Sequence, residues 1–271
     1  MPAVQLSRLK EQIQLLATTF DQPENFLRGV KGVFEQYADH TFRPAQTVKK
    51  AVLAAPSYHA PAVVVNQLEL AIHQWAQIYP NESFATAQAL WRDSMLETRI
   101  LGASTLGSIP AEFNQQVVRK IIDWTQPGED RILLELLFDH ATRTLRQRSP
   151  HFWLEQIRAW MLDPAVNMQR IGLLALLPLV NDRAFENLPA VFNSLGPVLQ
   201  ENPKALQSEL KNILVALALR SPTETLYFLK QMFGLGASED LLRLIRRSLP
   251  DFPPSVQEKL RDSLRSQQRL G

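Results

Sequence analysis

An all-α fold made of antiparallel helix pairs is what this sequence predicts, and three observations carry that prediction. Apolar residues recur at helical spacing, prolines fall between those stretches, and one Trp-to-Arg arrangement recurs along the chain. Stripes such as Leu6, Leu9, Ile13 and Leu16, then Phe26, Val30, Val33 and Tyr37, place apolar side chains on one face of a helix. Val117, Ile121 and Trp124 repeat the pattern, as do Leu206, Leu210, Ile213 and Leu217. The β-branched run Val63-Val64-Val65 leads into Leu68, Ile72, Trp75 and Ile78 and continues a helical stripe.

Prolines act as punctuation because the ring removes an N–H donor and suits the first helical turn. Ser149-Pro150, Asp163-Pro164, Asn202-Pro203 and Ser221-Pro222 each join a capping residue type to a Pro expected at the first helical position. The longest apolar run, 171–180, contains Gly172 and Pro178 and reads as one buried helix.

The recurring arrangement is a Trp that closes one helix followed by an Arg in the first turns of the next. Trp91 with Arg99, Trp124 with Arg131, and Trp160 with Arg170 are its three copies. Their arginines are thirty-two and thirty-nine residues apart, the period of two-helix solenoids of the HEAT type. One helix pair cannot bury its apolar face alone, so neighbours stack and share a core, with each Trp expected at a junction between layers. The pairs fall near 3–38, 44–79, 83–109, 111–147, 150–180, 186–220 and 222–249, with a basic C-terminal helix over 254–269. All belong to one expected HEAT-like domain over 1–271, in which the second helices line a concave surface.

Composition narrows the chemistry. The 271 residues are 45% hydrophobic and 21% charged, as in an ordinary folded protein. The absence of Cys excludes disulfides, thiolate zinc sites and cysteine nucleophiles, and fits a cytoplasmic setting. No export signal and no membrane-spanning run is read, so no membrane partner is expected. Phosphate-cradling Gly-rich loops, His-Glu-x-x-His and Gly-x-Ser-x-Gly are all missing, and no cofactor or metal is implied. The five His have no ligand spacing, and each reads as a surface or capping residue. Asp139 and His140 are sequence neighbours that point in different directions on a helix.

A formal charge of +2 points to no partner, but the cations cluster. Arg131, Arg143, Arg146 and Arg148 sit on the central second helix, Arg170 on the next, and Arg220, Arg243, Arg246 and Arg247 on later ones. From Leu241 onward the chain is locally +4. Two readings follow: a solvated face with cations complementing helix C-termini, or a basic groove that follows a phosphate backbone.

The order of motifs from Leu90 to about Tyr227 resembles the AlkD-like DNA alkylation repair family, HEAT-like proteins whose active members are DNA glycosylases that excise alkylated purines. The residues that carry it are Leu90-Trp91 with Glu97-Thr98-Arg99, the stretch from Glu129 to Pro150 as one long helix, Asn167-Met168-Gln169-Arg170-Ile171, and Ala218-Leu219-Arg220. The resemblance implies four site positions: a Trp and an Asp four apart on the long central helix, an Arg early in the next second helix, and a later Trp. This sequence has Arg131, Glu135, Arg170 and Leu217 there, so only Arg170 matches. In that family the aromatic pair would cradle a cationic base and the carboxylate would stabilise the sugar cation. Arg131 would repel such a base, and it stands i, i+4 from Glu135 as a helix-surface ion pair does. The resulting expectation is a DNA-binding relative that lacks base excision, with Arg131, Glu135, Arg143, Arg146, Arg148, Arg170 and Arg220 at the interface. A HEAT-repeat scaffold for a protein partner is the alternative, and an active glycosylase with a rearranged site is the third reading.

Overall fold

The computed structural model describes residues 4–39, 41, 56–126, 128–201, 204–236 and 238–268, and among these there is helix and no strand. Their packing separates into two compact units, Met1–Arg148 and Ser149–Gly271. The first contains α1 (Leu6–Leu16), α2 (Pro23–Tyr37), α3 (Ala62–Ile78), α4 (Pro80–Arg92), α5 (Leu96–Gly107), α6 (Asn114–Trp124), α7 (Arg131–Ala141) and α8 (Arg143–Arg148). The second contains α9 (Pro150–Met161), α10 (Val166–Asn181), α11 (Leu188–Glu201), α12 (Gln207–Arg220), α13 (Pro222–Gly234), α14 (Glu239–Ser248) and α15 (Pro254–Gln268).

Each unit has two layers. In the first, α5 packs between α3 and α7 while α4 lies against α2 and α5; in the second, α12 packs between α10 and α14 while α9, α11, α13 and α15 follow one another in the outer layer. The prediction of stacked antiparallel helix pairs therefore holds within each unit. The first half of the pair expected over 44–79 lies in 42–55, outside the described residues; its second half is α3.

Local sequence explains the boundaries. Pro23, Pro80, Pro150 and Pro222 open α2, α4, α9 and α13, where the missing N–H has no partner to lose. Pro164 does not open a helix: Asp163 accepts from the Ala165 N–H at 2.8 Å in a turn, and α10 starts at Val166. Asn202-Pro203 lies outside the described residues. Side-chain capping is found instead at Asp130 and Ser238, neither followed by Pro. The run 171–180 lies inside α10 and is nearly all buried, with Pro178 within the helix.

The long helix expected over Glu129–Pro150 is divided. Thr142 separates α7 from α8, and its hydroxyl donates to the Phe138 carbonyl at 2.5 Å, a back-bond that competes with the helical ladder. The break sits where α5 comes closest. A Cβ on Gly107 would stand 2.0 Å from the His140 carbonyl oxygen, so only Gly permits this approach.

The repeat exists, but its register differs by one residue from the Trp-to-Arg alignment. A Cβ on Gly102 would meet the Trp91 amide and the Ala87 carbonyl; on Gly172 it would meet the Met161 amide and the Ile157 carbonyl. Asp93 accepts from the Met95 N–H as Asp163 does from Ala165. Every one of these positions lies seventy residues from its counterpart. Trp91 therefore corresponds to Met161, and Arg99 to Gln169 rather than Arg170. Trp91 and Trp124 stack with ring centres 4.8 Å apart and planes 7° from parallel, whereas Trp160 meets Trp153 of its own helix edge-on at 5.3 Å. All three predicted tryptophans are buried, but Trp160 occupies a different setting.

Candidate nucleic-acid interface

The second helices carry the cations named from the sequence, and geometry divides them by what their guanidinium groups already hold. Arg131 opens α7 and its Nε donates to Glu135 at 2.9 Å; both side chains are more than a third exposed. Coulomb attraction at such a surface site is largely offset by hydration, so the pair contributes under ~1 kcal/mol. Arg170 lies on the second turn of α10. Its Nε is 3.5 Å from the buried Glu209 carboxylate and its Nη2 donates to the Ala205 carbonyl at 2.9 Å, which ties α10 to α12.

Arg146 and Arg220 are more deeply engaged. Arg146 reaches back to the Asp139 carbonyl at 2.7 Å with only 13% of its side chain exposed. Arg220, at the end of α12, donates to the carbonyls of Val180, Asp182 and Phe185 and so caps the C-terminus of α10, where unpaired carbonyls and the helix dipole both favour a cation. Arg148 is exposed and Arg143 is half-buried. Arg131, Arg143 and Arg148 thus share the α7–α8 segment of the first unit, while Arg170 and Arg220 belong to the second. Leu217, the fourth position of the family site, is fully buried in the core of the second unit and offers no surface to a base.

Sequence reasoning missed a polar cluster in the first unit. Glu69 of α3 and His140 of α7 reach toward each other across α5, with the Glu69 Oε1 2.9 Å from the His140 Nδ1. Ser104 of α5 lies between them, donating to Glu69 and standing 3.0 Å from the same Nδ1. Burial disfavours the Glu69 carboxylate charge, but hydrogen bonds from His140 and Ser104, together with the charges of His140 and Arg143, outweigh it and hold the pKa below the ordinary value. His73, one turn after Glu69, has its pKa lowered by burial and then by Arg143. Asp139 faces Arg146 instead, in keeping with the different directions of adjacent helix positions. The signal available in the sequence was one polar residue on each of three consecutive second helices.

The arrangement as a whole defines an all-helical protein of stacked pairs whose second helices display arginines. The DNA alkylation repair enzyme family matches residues 58–248, most of the chain, and this protein belongs to that family. The match begins at the loop before α3 and ends at the last residue of α14, so it takes in both units. No curated protein and no solved structure matches closely enough to add to this assignment. Among the described residues no group of His, Asp and Glu is arranged to hold a metal, and no helix is long and apolar enough to cross a membrane.

Proposed function

We propose that the chain binds the sugar–phosphate backbone of DNA through cations of its second helices and does not excise alkylated bases. Membership of the DNA alkylation repair enzyme family supports the DNA half of this reading. The observation that carries the other half is the Arg131–Glu135 pair. A guanidinium stands where the resemblance calls for a base-cradling aromatic, and it holds the carboxylate that would face a developing sugar cation. The buried Leu217 removes the second aromatic position.

Arg131, Arg143, Arg148 and Arg170 are the phosphate contacts of this reading, and Arg146 and Arg220 hold the helices that present them. Such contacts position DNA without reading its sequence. Fluorescence anisotropy with two unrelated labelled duplexes tests the binding, and release of purine bases from methylated DNA tests the chemistry. Equal affinity for both duplexes and no release above background are expected. Excision that Glu135→Gln abolishes would overturn the inactive assignment.

One observation favours the scaffold reading. The outer helices α11 and α13 enclose an apolar groove of ≈ 440 Å³ floored by Phe192 and Phe228 and flanked by Tyr227, which is 65% exposed. A chain without measurable duplex affinity at low salt would give that reading first place.

A further inference from the structure

The cluster around His140 has the parts of an oxyanion site. Glu69 engages Nδ1, so the ring is oriented and Nε2 is the nitrogen left to meet a ligand. The imidazole is 19% exposed, enough to be reached from solvent. Arg143, one turn further along, is half-buried, and its charge acts on both Glu69 and His73 without a direct ion pair to either. His73 Nδ1 is buried and has no hydrogen-bond partner among the described residues. A buried polar atom without a partner costs free energy that a ligand or water could recover.

We propose that His140, backed by Glu69, and Arg143 form a phosphate-binding site on the second-helix face of the first unit. Resting on the DNA reading above, the phosphate is a backbone phosphodiester. Nδ1–H bonded to Glu69 leaves Nε2 of the neutral ring as an acceptor, which repels a phosphate oxygen. The imidazolium donates from both nitrogens, and only this form completes the site.

The other charges around His140 do not substitute for this. From α3 the facing groups are Glu69 and His73. The titratable side chains of α5 are turned away: Glu97 holds Ser57 and the Tyr58 and Ala60 amides, and Arg99 lies over Trp91 beside Glu129. On α7 itself, Arg131 and Glu135 pair with each other and Asp139 with Arg146 of α8. Arg148 and the Glu112 of the turn packed on α8 are exposed.

The test uses the full chain labelled with ¹⁵N-histidine and followed by NMR, with inorganic phosphate and a short duplex as separate probes. At about pH 6, within the histidine range, both probes should shift the His140 ring nitrogens and leave the exposed His151 unmoved. Arg143→Gln should remove most of the response, and Arg158→Gln, on the exposed face of α9, should not. His140→Gln should lower duplex affinity about tenfold, the worth of one charge-assisted hydrogen bond. Glu69→Gln keeps the side-chain shape and should weaken the response, because the imidazolium loses its counter-charge. If duplex binds with no response at His140 and no loss of affinity on His140→Gln, the site is refuted and the DNA reading stands. If phosphate shifts His140 but no duplex binds, the oxyanion site stands for free phosphate and the DNA reading falls.

Discussion

Replacing Gly107 by Ala probes the close approach that positions the polar cluster. The new Cβ would stand 2.0 Å from the His140 carbonyl oxygen and 3.0 Å from two backbone atoms of Ala141. Backbone cannot rotate out of the way as a side-chain tip can, so α5 and α7 must separate by more than ~1 Å to restore ordinary contact. Overpacking of this kind costs about 1–3 kcal/mol and at times more, and a clash this short belongs at the upper end. The ~1 kcal/mol by which Ala favours helix over Gly offsets part of it. A net loss of about 2 kcal/mol lowers Tm by roughly 4–8 °C for a body of this size. Gly32→Ala is the control, because a Cβ there meets nothing within 4 Å and should raise stability slightly. Gly172→Ala should fall between them, since one of its close contacts is the flexible Met161 Cγ. Thermal unfolding followed by circular dichroism ranks the three. A Gly107→Ala protein as stable as the Gly32→Ala protein would refute the close packing of α5 on α7 and, with it, the placement of His140 over Ser104.

Other perturbations separate frame from interface. Trp160→Ala should cost about 3–5 kcal/mol in urea unfolding, the range for a large buried aromatic, despite the register difference from Trp91. Arg220→Ala should destabilise by about 1.5–3 kcal/mol because the α10 carbonyls lose a charged donor, and Arg220→Lys should not restore it, since one ammonium cannot span what the guanidinium fork reaches. Asp93 is pushed up by burial but held below its ordinary value of 3.8 by Lys31, Thr98 and the Met95 amide, and Lys31 is raised above 10.5 chiefly by its hydrogen bond to Asp93. A lowered carboxylate stabilises above its unfolded value and stops doing so as pH falls through the folded one; the raised amine stabilises below its unfolded value and stops as pH rises through the folded one. Asp93→Asn should therefore cost about 1–3 kcal/mol at neutral pH, with the difference from the parent closing in acid.

The helices were legible in the sequence because local apolar spacing and first-turn prolines dictate them. Register was harder to read. Trp and Arg stand out by rarity, but the close approach of backbones at Gly102 and Gly172 fixes the alignment, and a glycine gives no sign of what it touches. The break at Thr142 has the same origin, since it depends on a partner helix thirty-five residues earlier at Gly107. The Arg131–Glu135 pair was visible because i, i+4 is a local relation. The Glu69–Ser104–His140 cluster was not, because it joins three helices far apart in sequence whose individual residues look like surface polarity. The contacts of Arg220 were hidden for a similar reason: the carbonyls it caps belong to another helix and the loop after it.

The most direct test of the central claim is the salt dependence of duplex affinity. Each phosphate neutralised releases condensed counterion and contributes about −0.9 to the slope of log K against log salt. A backbone-binding protein should show a steep slope that Arg170→Ala reduces by about one unit on any duplex sequence. Arg158, exposed on the outer helix α9, is the control and should leave both slope and affinity unchanged when replaced by Ala. No duplex binding at low salt, or an Arg158→Ala loss as large as that of Arg170→Ala, would contradict a phosphate grip on the second helices.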